Sequence, residues 1–86
     1  MPDEELRSLR KEIDVLDKGI LALVEKRVET AQKIGAIKTK NGLQISDPAR
    51  EKEVLDNVSK ATKLDKSFIR GLYSSIIEYC KHAEQK

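Results

Sequence analysis

The sequence predicts an all-α fold, with three helices per chain, one long N-terminal helix, and two such chains in an intertwined homodimer. The 86 residues are 38% apolar and 37% charged, with only four glycines and two prolines, a composition that favours helices. Between Leu6 and Leu23 apolar residues recur at steps of three and four, the spacing of one helix face. The first helix is also predicted to be longer than a compact domain of this size.

The first helix is predicted over residues 4–41. Three acidic residues follow Pro2 and suit the positive end of a helix dipole. Gly19 and Gly35 lie inside the helix and each costs roughly 1 kcal/mol against alanine. Because no proline interrupts the apolar spacing, we expect one helix, which ends at the left-handed terminator Asn41-Gly42.

Two shorter helices follow. Asp47 is a strong N-cap and Pro48 suits the first helical position, so the second helix begins there and is predicted to end near Lys63. Its apolar face consists of Val54, Leu55, Val58 and Ala61. The third helix is capped by Asp65 or Ser67. Its predicted buried stripe consists of Phe68, Leu72, Ile76, Tyr79 and Ala83.

The length of the first helix predicts a homodimer. A helix over residues 4–41 is about 57 Å long, whereas a compact domain of this size is only about 30 Å across. The two shorter helices cannot cover its whole apolar face, so we expect the long helices of two chains to run past one another. The alternative is a sharp bend at Gly19, which would give a monomeric three-helix bundle.

Composition narrows the class of protein. The net charge is +2, with acids and bases interleaved, which argues against a nucleic-acid or membrane-surface partner. No apolar run could span a bilayer and no signal peptide opens the chain, so we expect a cytoplasmic protein with a single domain over residues 1–86. Cys80 and His82 are the only cysteine and histidine, and we expect no disulfide, metal or cofactor.

Arg27 interrupts the apolar spacing of the first helix. In one interpretation the apolar face shifts sideways, leaving Arg27 at its edge; the shifted face would consist of Val24, Val28, Ala31 and Gly35. In the other interpretation Arg27 faces a ligand. Lys38 lies eleven positions later, about 20° round the helix and ~16 Å along it. Two such cations could hold opposite ends of one small dianion.

Other polar residues favour the interpretation in which Arg27 faces a ligand. Arg50 and Glu51 share a face with the apolar residues of the second helix, and Glu84 follows Cys80 by four on the third. Polar groups that converge between helices of a bundle predict a ligand pocket. Arg10 lies 17 residues before Arg27, ~25 Å away along the rod, and could reach the same ligand only from an antiparallel second chain.

The sequence contains no nucleophile motif, glycine-rich phosphate loop, dinucleotide fingerprint or metal-ligand cluster. The available functional groups are cationic side chains and a few acidic ones, held in a fixed arrangement by the helices. They suit a reaction that needs positioning and charge stabilisation without a covalent step.

Three segments together resemble the all-α chorismate mutases: LRKEIDVLDKGILALVEKRVETAQKIGAIK, ISDPAREKEVL and IIEYCKHAE. The similarity covers almost the whole chain. It implies an intertwined homodimer of three-helix chains that rearranges chorismate to prephenate, on the route to phenylalanine and tyrosine. The implied reaction is intramolecular and uses no cofactor.

The resemblance also implies roles for particular residues. Arg27 would bind one substrate carboxylate, and Arg10 of the other protomer would bind the second. Lys38 would donate to the ether oxygen, where negative charge grows as the C–O bond breaks, and would help to hold the side-chain carboxylate. Glu51 would accept from the ring hydroxyl. The backbone near Asp47 would assist Glu51, and electrostatic support would come from Arg50.

Two positions depart from the family pattern. Cys80 stands where some members carry a serine that contacts a carboxylate, and a thiol is a weak donor, so the contact is lost or indirect, or Cys80 packs as a small apolar residue. Glu84 stands where many members carry glutamine and others glutamate. Only a protonated Glu84 can donate to the ether oxygen, so we expect activity to fall as Glu84 ionises. A register one residue later would place Gln85 there instead.

Two other functions fit the same sequence. One is an isochorismate pyruvate lyase, which shares the fold and a similar site. The other is a non-catalytic helical dimerisation or regulatory module, whose function would not depend on the charges of Arg27 and Lys38.

Overall fold

The structure is a computed structural model and describes residues 1–85. Three helices follow one another along the chain: α1 over Pro2–Lys40, α2 over Pro48–Lys60 and α3 over Lys66–Glu84. Residues 1–85 contain no β-strand. The predicted all-α fold with one long N-terminal helix is therefore confirmed. In the part of the chain that the structure describes, none of the helices is long and apolar enough to cross a membrane.

Local capping sets the helix ends. The Asp47 side chain accepts a hydrogen bond from the Arg50 N–H at 3.1 Å, and the Asp65 side chain accepts one from the Phe68 N–H at 2.9 Å. Asp65, not Ser67, is thus the cap of α3. After α1, Gly42 takes the left-handed conformation with φ of 67°, as the Asn41-Gly42 pair predicts. The α2 helix ends at Lys60, before the predicted Lys63.

The long helix is continuous through Gly19, so the predicted alternative of a sharp bend there is wrong. The chain measures 61 × 25 × 15 Å, and its radius of gyration is 16.9 Å. A compact chain of this length has a radius of gyration of about 12 Å. The elongated shape follows from α1, whose 39 residues span roughly 58 Å at 1.5 Å per residue.

The α3 helix is the central element, because both α1 and α2 pack on it while α1 and α2 do not pack on each other. On α1, Ala31 and Gly35 are buried, while Val24 and Val28 are half-buried. The inward face of α1 has therefore shifted sideways after Leu23, as the first interpretation of Arg27 requires. Arg27 is half-buried at the edge of this shifted face.

The backbones of α1 and α3 touch where Gly35 meets Glu84. A Cβ atom on Gly35 would lie 2.6 Å from the Glu84 Cα atom and would also strike the Glu84 carbonyl oxygen. Only glycine permits this approach. The close contact brings the last turn of α3 beside the last turn of α1, where Lys38 lies.

In the single chain, three of the five residues in the predicted buried stripe of α3 are exposed. Phe68, Leu72 and Tyr79 are 58%, 43% and 66% exposed in the single chain. The buried residues of α3 are instead Ile69, Cys80 and Ala83. The physical reason is that the crossing with α1 at Gly35 turns the Cys80–Ala83 side of α3 inward. Phe68, Leu72 and Tyr79 then remain exposed, and Tyr79 lies beside Val24 and Val28 of α1 in a surface pocket.

The N-terminal half of α1 stands clear of the other helices. Residues 1–23 are all exposed. Six of them form a continuous apolar face, which we call the apolar seam: Leu6, Leu9, Ile13, Leu16, Ile20 and Leu23. The chain exposes 7266 Å², whereas a compact monomer of 9.7 kDa exposes about 5100 Å².

A surface ion pair fixes α2 against α3. The Arg70 Nη2 atom lies 2.7 Å from the Asp56 Oδ1 atom, and both side chains are partly exposed. The hydrogen bond from Arg70 holds the pKa of the Asp56 carboxyl below its usual value. This pair and the half-buried Val54, Leu55 and Val58 orient the face of α2 that carries Glu51.

Replacing Gly35 by alanine is expected to separate α1 from α3. The new methyl group meets backbone atoms of Glu84 that cannot move without shifting the helix, so we expect destabilisation by roughly 1–3 kcal/mol. Gly71→Ala is the matched control, because nothing lies within 4 Å of its added Cβ and alanine favours the helix. Urea unfolding followed by circular dichroism measures both variants. Equal stability of Gly35→Ala and Gly71→Ala would contradict the tight crossing.

Candidate active site

A cavity of about 440 Å³ lies between the three helices. It fills the space that opens because α1 and α2 pack on α3 but not on each other. Seven of the eight predicted site residues line it: Arg27, Lys38, Asp47, Arg50, Glu51, Cys80 and Glu84. Three helices and the loop before α2 thus converge on one site.

Arg27 reaches the cavity from the edge of the inward face of α1. Its Nη1 atom donates to the Cys80 Sγ atom at 3.0 Å. A guanidinium carries five N–H donors in a fixed plane, so most of them remain available to a ligand. Cys80 is only 4% exposed. It therefore both packs as a small buried residue and holds the Arg27 side chain in place.

Lys38 is held by two contacts. Its Nζ atom donates to the Ile45 carbonyl oxygen at 2.9 Å and pairs with the Glu84 Oε1 atom at 3.2 Å. The Lys38 and Glu84 side chains are only 19% and 12% exposed, which strengthens their attraction relative to a surface pair. An ammonium has three donors, so one donor of Lys38 is still free. Gln85, the alternative to Glu84, is exposed and lies outside the cavity.

Asp47 and Arg50 lie at the rim. The Asp47 side chain is committed to capping α2 through the Arg50 N–H. The Arg50 guanidinium pairs with Glu53, and both of these side chains are 61% exposed. Arg50 thus contributes positive charge to the mouth of the cavity, and its guanidinium is largely in solvent.

Glu51 is paired with Lys81, a residue that the sequence reasoning missed. The Lys81 Nζ atom lies 3.3 Å from Glu51 Oε2 and 3.4 Å from Glu51 Oε1. It also pairs with Glu78 at 3.1 Å. Hydrogen bonds to Glu78 and then to Glu51 raise the pKa of Lys81 above its usual value, so it stays cationic at neutral pH.

A signal for Lys81 was present in the sequence. Lys81 follows Ile77 by four residues and precedes Glu84 by three, so it shares the face of α3 that carries the other site residues. Ile77, Cys80 and Glu84 all line the cavity with it.

Arg10 is the one predicted site residue that the single chain does not bring to the cavity. It lies on the exposed part of α1 that extends beyond α3. Seventeen residues separate it from Arg27, which corresponds to ~25 Å along the helix.

The cavity suits a small anion with an apolar body. Among residues 1–85, four cationic side chains line it: Arg27, Lys38, Arg50 and Lys81. Three acidic side chains from the same range line it: Asp47, Glu51 and Glu84. Aliphatic walls come from Ile34, Val54 and Ile77. Over the described part of the chain, no group of three or more His, Cys, Asp or Glu side chains is placed to hold a metal ion.

The fold and this cavity define a class of small helical proteins with a cation-lined site between three helices. Comparison with known families identifies the class, because the model of the family "Chorismate mutase type II" matches residues 9–85. The chain belongs to this family.

Similar curated proteins and a similar solved structure are consistent with this family. A bifunctional chorismate mutase/prephenate dehydratase of Aquifex aeolicus is 37% identical over 96% of this chain, which spans only 25% of that relative. A 4-amino-4-deoxychorismate mutase of Streptomyces venezuelae is 35% identical, over 90% of this chain and 79% of the relative. The structure of a chorismate mutase from Thermus thermophilus superimposes with a TM-score of 0.91, at 31% identity, over 95% of this chain and 96% of that one.

Proposed function

We propose that this chain catalyses the rearrangement of chorismate to prephenate. The observation that carries the proposal is that Arg27 and Lys38, eleven residues apart on α1, line one cavity together with Glu51 and Glu84. Chorismate is a small dianion with an apolar ring, which matches the excess of cations and the aliphatic walls. Membership of the family and the likeness to the Thermus thermophilus enzyme support the same reaction.

The residues act by positioning and by charge. In this reaction one C–O bond breaks and one C–C bond forms within the same molecule, so no side chain has to form a covalent intermediate. Arg27 binds one carboxylate and holds the flexible substrate in its folded, reactive conformer. Lys38 donates to the ether oxygen, where negative charge grows in the transition state, so it stabilises the transition state more than the ground state.

The remaining side chains orient the substrate ring and adjust the electrostatic potential in the cavity. Glu51 accepts the hydrogen bond of the ring hydroxyl, with the backbone near Asp47 beside it. Arg50 adds positive charge at the mouth of the cavity. Cys80 acts indirectly in this scheme, because its sulfur accepts from Arg27 at 3.0 Å and so fixes the guanidinium that binds the carboxylate.

We also propose that the active form is a homodimer in which Arg10 of a second copy completes each site. The apolar seam is exposed along residues 6–23, and the chain exposes roughly 2000 Å² more than a compact monomer would. Covering that excess on two chains gives an interface of about 4000 Å², within the range of obligate homodimers. An antiparallel pairing of the long helices brings Arg10 of one chain toward Arg27 of the other.

Product analysis separates this function from its alternatives. Purified protein is incubated with chorismate and, separately, with isochorismate. The proposed function yields prephenate from chorismate. Salicylate and pyruvate from isochorismate would instead indicate the lyase, and no turnover of either substrate would indicate a non-catalytic module.

Arg27→Ala is expected to reduce turnover of chorismate by roughly a hundredfold or more, because it removes a positioned donor for a substrate charge. Lys33→Ala is the matched control, since Lys33 is an exposed cation of the same helix outside the cavity. Initial rates of chorismate loss are measured for both variants, with circular dichroism as the check on folding. Full activity in a folded Arg27→Ala variant would contradict the proposed role.

Glu84→Gln is expected to raise the rate of chorismate loss. The Glu84 carboxylate pairs with Lys38 at 3.2 Å and can only accept hydrogen bonds, whereas a glutamine amide can also donate one to the ether oxygen. Initial rates of the parent and the variant are compared at neutral pH, with circular dichroism as the check on folding. Equal rates in the two folded proteins would show that residue 84 does not supply a donor to the ether oxygen.

A further inference from the structure

The Lys81–Glu51 pair has no counterpart among the roles that family resemblance assigns to this site. Lys81 lies on α3 and Glu51 on α2, and the Lys81 Nζ atom is within 3.4 Å of both carboxylate oxygens of Glu51. Both side chains line the cavity. They are 23% and 27% exposed, so solvent screens this pair less than it would screen an open surface pair.

The pair changes what Glu51 can bind. A free carboxylate in the cavity attracts a hydroxyl donor, and it attracts a cationic ammonium group far more strongly. With Lys81 bound across both oxygens, the negative charge of Glu51 is already matched. Each oxygen keeps a lone pair that can accept a hydrogen bond from a neutral hydroxyl. An ammonium group at the same position would instead meet the positive charge of Lys81.

The overall charge of the cavity also favours a substrate with a ring hydroxyl over one with a ring ammonium group. Within residues 1–85, its lining carries four cations and three acids with Lys81, and three of each without it. A ring-hydroxylated substrate with two carboxylates has a charge of −2. An analogue in which an amine replaces the ring hydroxyl has a charge near −1 at neutral pH, because such an amine is protonated. The extra cation therefore selects the more negative ligand.

We propose that Lys81 is a specificity-determining residue that acts through Glu51 to favour a ring hydroxyl over a ring amino group. This inference rests on the proposed function. It assigns this chain to chorismate rather than to 4-amino-4-deoxychorismate, the substrate named for its Streptomyces venezuelae relative.

A purely structural Lys81 would behave differently. Its pairs with Glu51 and Glu78 link α2 to α3 and span one turn of α3. If that were its only role, removing the charge would lower stability and would affect the two substrates equally. The ratio of kcat/KM for chorismate to kcat/KM for 4-amino-4-deoxychorismate is therefore the deciding quantity.

The experiment measures this ratio in the parent and in four variants. Lys81→Met removes the charge and keeps an unbranched chain, and Lys81→Gln does so with a polar side chain in case the first variant folds poorly. Lys81→Arg keeps the charge. Glu78→Gln is the matched control, since it removes the exposed partner of Lys81 and leaves the pair with Glu51 intact. Thermal unfolding checks each variant.

We expect Lys81→Met and Lys81→Gln to lower the ratio by about tenfold or more, the effect of removing one nearby like charge from a partly buried site. Lys81→Arg and Glu78→Gln should keep it within about twofold. An unchanged ratio in folded Lys81→Met or Lys81→Gln would overturn the assignment of Lys81 while leaving the proposed function intact. A parent enzyme that rearranges neither substrate would overturn both.

Discussion

The contact between the backbones of Gly35 and Glu84 is the constraint on which the rest of the structure depends. Because residue 35 has no side chain, α1 and α3 meet at backbone distance near their C-terminal ends. The contact places Lys38 beside Glu84 and turns Cys80 toward Arg27. It also leaves α2 packed only on α3, so that a cavity remains between α1 and α2. The crossing of α1 and α3 at Gly35 thus determines both the packing of the helices and the positions of the residues that line the cavity.

A second consequence is that the chain cannot cover its own long helix. The crossing fixes α3 against the C-terminal half of α1, and residues 1–23 extend beyond it. The apolar seam remains exposed, as do Phe68, Leu72 and Tyr79 of α3. In the proposed dimer the same extension that exposes the seam delivers Arg10 to a second chain's cavity. Assembly and completion of the site are one event in this scheme.

The sequence predicted the helices well because their signals are local. Asp47, Pro48, Asp65 and Asn41-Gly42 act through contacts with residues a few positions away. The sequence allows two interpretations of Arg27: the residue lies at the edge of a shifted apolar face, as the first requires, and it lines the cavity in which the second would place a ligand. The sequence did not predict that Phe68, Leu72 and Tyr79 are exposed in the single chain, or that Lys81 pairs with Glu51. Both features depend on how closely two helices cross. The spacing of apolar residues along one helix carries no information about that distance.

The central claim is that one chain supplies Arg27 and another supplies Arg10 to the same site. Mixed dimers of an Arg10→Ala chain and an Arg27→Ala chain, coexpressed and purified through two different tags, test it directly. In a two-fold symmetric dimer such a mixture restores one complete site of two, so about half of the parental turnover per dimer is expected. The two unmixed variants should each remain nearly inactive. A mixed dimer as inactive as they are would contradict the claim.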